Sequence, residues 1–212
     1  MPRPASRATS PAPLLRRRSL ALPLALTLAL ILPLAPPGCT VDDSPNGTAT
    51  SPGTTAGSSG ADTRKPAQLV AADAWFQLDA ATDPYADHRP ETVECGLGGI
   101  FVDEGELDID TNLCNYVTLE QPGLAEVRAG DTLTLVMRHF DLAAPEPATA
   151  HVALLLDGTL AWERTLLIPG PAEVISVDID APIDLPIGEP ARFHLHNHGQ
   201  NTWILTGITV TP

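Results

Sequence analysis

Basic side chains are scarce in this 212-residue chain: 12 lysines and arginines stand against 26 aspartates and glutamates. Five of the bases (Arg3, Arg7, Arg16, Arg17 and Arg18) precede Cys39 and no acid does. From Cys39 onward, seven bases therefore face 26 acids, a formal charge of −19. A surface this acidic repels phosphate backbones and anionic lipid headgroups, which excludes nucleic acid as a partner and excludes electrostatic adhesion to a membrane. Aromatic residues are also few, at 4% of the chain. There is no nucleophile motif, no glycine loop of the kind that cradles phosphate and no zinc-type cysteine pair, so the familiar hydrolase and nucleotide-binding signatures are missing. No segment sustains a helical hydrophobic period beyond two turns, which excludes a helical core.

What the chain does have begins at its N-terminus. The cluster Arg16-Arg17-Arg18 leads into an apolar run from Leu20 to Ala35, followed by Pro36-Pro37-Gly38-Cys39. A basic n-region, a greasy h-region and a small residue before the cleavage point form an export signal. Pro23 and Pro33 interrupt the run, which is barely long enough to span a bilayer, so it reads as a signal and not as an anchor. The segment resembles the bacterial lipoprotein signal, whose lipobox ends in a small residue followed by the cysteine that receives a diacylglyceryl group. Gly38-Cys39 matches that ending. The resemblance implies cleavage after residue 38, acylation of Cys39, and a chain held to a lipid bilayer, facing the periplasm or the cell surface. Once Cys39 is acylated, Cys95 and Cys114 remain to pair. An oxidising compartment favours that disulfide, and closing a loop of this size stabilises a fold by about 3 kcal/mol.

Residues 39–66 are rich in Ser, Thr, Gly and Pro, with Val41 as their only large apolar side chain. Such a composition cannot bury enough surface to offset its ordering entropy, so it reads as a disordered tether with a span on the order of 30 Å. Residues 67–212 form one domain. Its apolar pattern is short and strand-like at 105–110, 114–120, 131–140, 151–158, 160–168, 172–179, 191–198 and 202–210, with turn signals between nearly every pair. Asp157-Gly158 is the clearest hairpin turn, because a type I′ turn needs positive φ at both central positions. Gly130-Asp131, Pro169-Gly170 and Gly199-Gln200-Asn201 mark further reversals. The fold class expected is all-β, an antiparallel sandwich.

The stretches AGDTLTLVMRH, AHVALLLDGTLAWE and FHLHNHGQNTWILTGITV, within roughly 129–211, resemble the jelly-roll modules grouped as galactose-binding-like or carbohydrate-binding domains. That resemblance implies a jelly roll whose last strand closes beside the first, and carbohydrate as a ligand. It is one of strand order and turn placement, and it transfers no site residue. Trp203, Trp162 and Tyr116 are the candidate sugar-stacking side chains, although a tryptophan on a strand serves equally to fill a sandwich core.

A second constellation is Phe193-His194-Leu195-His196-Asn197-His198. Alternation along a strand projects His194, His196 and His198 from one face, while Phe193 and Leu195 take the other. Neutral imidazoles sharing a face suit Zn²⁺ or Cu²⁺. A hairpin centred near residues 144–146 would bring His139 and His151 opposite each other, where they could complete the set. The string is similar to the H-x-H-G elements of multicopper oxidases, but Cys95 and Cys114 have no histidine neighbours, which excludes that family. The bland alternative is a solvated polar face.

The third constellation is Glu106, Asp108 and Asp110 on one strand face. It is similar to the E-x-D-x-E strand of laminarinase-type glycoside hydrolases, with a shorter arm at Asp110 in the acid/base place and few aromatics for a cleft. Asp108-x-Asp110-x-Asn112 also begins like a calcium loop, but Leu113 stands where glycine is required, so a structural Ca²⁺ site of sandwich type is the reading left open. The favoured reading is a non-catalytic, lipid-anchored binding domain with carbohydrate as the leading ligand class; a metal-binding sandwich comes second and a glycosidase third. Fatty-acid labelling checks the address: the wild-type chain takes up label, Cys39→Ala takes up none, and equal labelling of the two overturns acylation at Cys39.

Overall fold

A computed structural model of the chain describes residues 62–212. The segment read as an export signal, Cys39 and most of the segment read as a tether lie outside the described residues. Eleven strands make up the domain. They are β1 (Ala67–Gln68), β2 (Phe76–Gln77), β3 (Ile100–Asp103), β4 (Glu106–Asp110), β5 (Tyr116–Pro122) and β6 (Thr132–His139), then β7 (Ala148–Leu156), β8 (Thr159–Ile168), β9 (Glu173–Asp180), β10 (Pro190–Asn197) and β11 (Thr202–Thr211). The eight strand-like segments of the sequence correspond to β4 through β11. The short β1, β2 and β3 carry too few residues to show a period.

The strands form two antiparallel sheets, one in the order β3-β4-β11-β6-β9 with β1 also paired to β11, the other in the order β2-β5-β10-β7-β8. The eight long strands pair as nested partners: β7 with β8, β6 with β9, β5 with β10 and β4 with β11. The chain thus runs out and back as one long hairpin wound around a core, which is a jelly roll. Two tight two-residue turns join neighbouring strands, β3 to β4 at Glu104 and Gly105 (φ 50° and 85°) and β7 to β8 at Asp157 and Gly158 (42° and 77°), each with the positive φ at both positions that a type I′ turn demands.

The core lies between the sheets and follows the pleat. From the six-stranded sheet come Leu107, Ile109, Leu133, Leu135, Met137, Trp203 and Leu205; from the five-stranded sheet come Val117, Leu119, Val152, Leu154, Phe193 and Leu195. Each is every second residue of its strand, with the residues between them on the opposite face. Trp75 packs on the edge of this core, its ring 6.4 Å from Phe193. Gly199 allows the close approach of the 199–201 reversal to the β6–β7 connection. A Cβ there would stand 2.7 Å from the Ala143 carbonyl oxygen and 2.9 Å from Ile168.

The disulfide joins Cys95 to Cys114, fastening the segment before β3 to the start of β5. At the N-terminal margin, Arg64 makes a two-toothed ion pair with Asp131, at 2.7 and 2.8 Å, so ordered contacts reach back before β1. Burial of Phe193 predicts a graded test. Phe193→Ala should lower the unfolding free energy by about 3–5 kcal/mol, whereas Phe76→Ala, at a residue 50% exposed, should cost less than about 1 kcal/mol. Urea denaturation reads both, and equal losses would contradict the assignment of Phe193 to the core.

Candidate functional site

The outer face of the five-stranded sheet gathers five of the six histidines of the chain. β10 is its central strand, so the alternation that sends Phe193 and Leu195 inward sends His194 and His196 outward. The register sets His196 opposite Tyr116 of β5 and His151 of β7, and His194 opposite Thr118. On β8, Thr165 lies opposite His151, and Glu163 lies opposite Ala153. His88 comes from a different part of the chain, a single 3₁₀ turn over Ala86–His88. That turn belongs to a strap that crosses this face before β3.

Asp83 holds the strap in place. Its carboxylate, 7% exposed, accepts four hydrogen bonds. Thr118 Oγ1 donates to Oδ1 at 2.8 Å and the Tyr85 amide at 3.0 Å. The Tyr116 hydroxyl donates to Oδ2 at 2.6 Å and Arg89 Nη1 at 3.1 Å. Burial works to raise the Asp83 pKa, but the bonds from Tyr116, the Tyr85 amide and Thr118 outweigh it, and the group is held below the usual carboxylate range. Tyr85 in turn stacks on His194, with ring centres 4.2 Å apart. Arg89 sits 5.1 Å above the Tyr116 ring.

This arrangement decides which nitrogen of His194 carries the proton. Thr118 has one hydroxyl hydrogen and gives it to Asp83, so toward His194 Nδ1, 2.8 Å away, its oxygen can only accept. Nδ1 is therefore the N–H, and Nε2 presents a lone pair. That atom is buried and has no hydrogen-bond partner in the protein. His151 mirrors it. Its Nε2 lies 3.0 Å from Glu163 Oε2, a carboxylate that only accepts, which leaves Nδ1 of the neutral ring as a buried lone pair, again without a partner. A buried acceptor left unpaired costs about 1–3 kcal/mol. Burial, and then the neighbouring His151, push the His194 pKa from 6.5 down to about 3; burial and then His198 push that of His196 down to about 4. The face is thus uncharged at neutral pH along β10.

Beside the strap, His88, Thr149, His151, Glu163, Arg164, Thr165 and His196 line an open depression of about 520 Å³. His198 follows the end of β10; it is exposed, its ring 4.3 Å from that of His196, and it borders a separate depression with Pro147, Ala148 and Leu167.

Several residues stand elsewhere than the sequence suggested. His139 does not join the others: β6 and β7 belong to different sheets, so the connection between them is a crossover and not a hairpin. His139 points into the core, where its ring lies 4.5 Å from Trp203. Trp203 is 1% exposed and offers no surface for stacking, while Trp162, half-buried on β8, packs one side against the core. Tyr116 is on the outer face but lies wholly beneath the strap. His88 and Tyr85 carried no pattern in the sequence that marked them; only their fold-back over the sheet reveals them.

Glu106, Asp108 and Asp110 do share the outer face of the other sheet. Glu106 is engaged by Arg138, whose Nη1 donates to it at 2.7 Å, and this bond holds its carboxyl below the usual range. Asp110 accepts from both nitrogens of Asn112. Asp108, between them, is 8% exposed, and burial and then the neighbouring Asp103 raise its pKa. Among the described residues, no three His, Cys, Asp or Glu side chains converge on a common point as placed.

No family model and no curated protein matches the chain. Among solved structures it is similar to a carbohydrate-binding module described as CBM4 (16% identity, covering 65% of this chain and 86% of that one, TM-score 0.39). It is similar also to the N-terminal cellulose-binding domain of β-1,4-glucanase C from Cellulomonas fimi (14% identity, 56% and 85% covered, TM-score 0.37). A third is the mannan-recognising module TmCBM27 (7% identity, 69% and 95% covered, TM-score 0.39).

The depressed histidines make stability depend on pH in a stated direction. Unfolded His194 takes up a proton near pH 6.5, whereas folded His194 resists protonation down to about pH 3. Its contribution is therefore complete above 6.5 and declines as pH falls through that window. Between pH 6.5 and 5, His194 alone should remove roughly 1–2 kcal/mol. Urea midpoints of wild type and His194→Gln at both pH values check this. The variant should show the shallower dependence, and identical slopes would place the effect on other groups.

Proposed function

We propose that the chain is an exported, lipid-anchored binding protein whose jelly roll takes a neutral, hydroxyl-rich ligand, a carbohydrate, on the outer face of the five-stranded sheet. The observation that carries this reading is the chemistry of the depression beside the strap. Its lining mixes hydroxyls (Thr149, Thr165), imidazoles (His88, His151, His196) and a carboxylate and a guanidinium (Glu163, Arg164). The charged groups are hydrogen-bonded within the face: Glu163 accepts from His151, and Arg164 holds Glu173 in a two-toothed pair.

Such a surface discriminates by charge. The strongly acidic chain repels an anionic ligand. Sugar hydroxyls both donate and accept, as the groups here do, and the flat rings of Tyr85 and His88 stand beside them for the apolar face of a pyranose. The volume falls within the roughly 300–1,000 Å³ of small-molecule sites. Acylation at Cys39 and a flexible tether would hold this face away from the bilayer, where it could reach a polymer.

Affinity electrophoresis through gels containing a soluble neutral β-glucan, mannan or galactan tests the reading. At least one should retard the protein. His196→Ala and Glu163→Gln should each weaken that retardation about ten-fold, the loss of one or two hydrogen bonds. Unretarded migration in every neutral polysaccharide, or retardation that ignores both substitutions, would overturn it.

A further inference from the structure

The buried end of the histidine face holds two unpartnered imidazole nitrogens on neighbouring strands. His194 Nε2 and His151 Nδ1 are both buried without a partner, and His194 itself is fully buried. Their ring centres are 5.4 Å apart and the planes tilted by 54°. Two imidazoles bound to one tetrahedral ion through bonds of about 2.0–2.1 Å have centres roughly 5 Å apart, so the spacing is that of a pair of ligands on a shared metal. A third ring, His88, on the exposed turn of the strap, has its centre 5.7 Å from that of His151.

We propose that His151, His194 and His88 bind a divalent transition metal, zinc or copper, with a water or a ligand atom from the neighbouring depression in the fourth place. Imidazole nitrogen suits these ions, and a site with three protein ligands and one open position is the form that interacts with a ligand instead of merely bracing a fold.

The groups behind the rings are those such a site requires. A metal-ligating histidine donates its other N–H to an acceptor that fixes the tautomer and sharpens its basicity. His194 donates Nδ1–H to Thr118, which Asp83 polarises; His151 donates Nε2–H to Glu163. Each ring thus keeps one unprotonated nitrogen available as a ligand. The sequence had singled out His196 and His198 with His194, but the His196 ring lies against that of His198, with centres 4.3 Å apart and planes tilted by 48°. His88, which no pattern marked, takes their place. The carbohydrate reading does not depend on this ion.

Calorimetric titration of the purified chain with Zn²⁺, with no sugar present, tests the proposal. Wild type should bind one ion per chain, and its melting temperature should rise by mass action. His151→Gln and His88→Gln should each weaken binding at least ten-fold. Thr118→Val, which keeps the shape but cuts the link from Asp83 to His194, should weaken it ten- to a hundred-fold. His198→Gln should bind as wild type does. The absence of one-to-one binding in wild type, unchanged affinity in His151→Gln and His88→Gln, or loss of binding in His198→Gln would each overturn the assignment. Failure of the polysaccharide experiment with Zn²⁺ binding intact would strike only the carbohydrate reading.

Discussion

The two-residue period of β10 is the constraint on which both the core and the site depend. This strand runs through the middle of the five-stranded sheet, bonded on both sides, so each of its side chains has only two places to go. Phe193 and Leu195 enter the core, and that burial, worth several kcal/mol together, commits His194 and His196 to the opposite face. A slip of one residue would put imidazoles into the core and Phe193 into water. The position of the histidine face is therefore a consequence of the hydrophobic effect acting on its neighbours.

Facing outward would normally leave these histidines wet and ordinary. The strap changes that, and Asp83 is what fastens the strap. A carboxylate this buried is tolerable only when well hydrogen-bonded, and four donors from β5 and the strap itself satisfy it. The same contacts cover Tyr116, lay Tyr85 on His194 and settle the tautomer of its imidazole. Desolvation then lowers the His194 pKa far below its ordinary value and leaves a lone pair without water. One short segment has turned half of a solvated sheet face into a low-dielectric cluster, while the half toward β8 stays open as the depression.

The other sheet supplies a useful contrast. Glu106, Asp108 and Asp110 lie on a common face just as alternation requires, yet Arg138 engages the first and Asn112 the last. Two constellations with equally regular spacing in the sequence thus have opposite fates. One is neutralised by ion pairing and local turns, and the other is gathered and dried by a distant segment.

Much of the architecture was legible before any coordinates. The eight long strands, the Asp157-Gly158 turn, the pairing of Cys95 with Cys114 and the common face of His194 and His196 follow from local rules: strand period, turn residues that need positive φ, and the two cysteines left once Cys39 is set aside. These signals lie within a few residues of one another, so the sequence carries them directly. The partnership of sheets does not. That the β6–β7 connection crosses over, taking His139 into the core and away from His151, depends on how nested strand pairs wind around a shared interior. That Trp203 fills the core and Trp162 packs against it, and that His88 and Asp83 meet β5 and β10, depends on which surfaces the whole chain has to bury. No stretch of neighbouring residues encodes such a choice, because the energy that decides it comes from contacts between segments tens of residues apart.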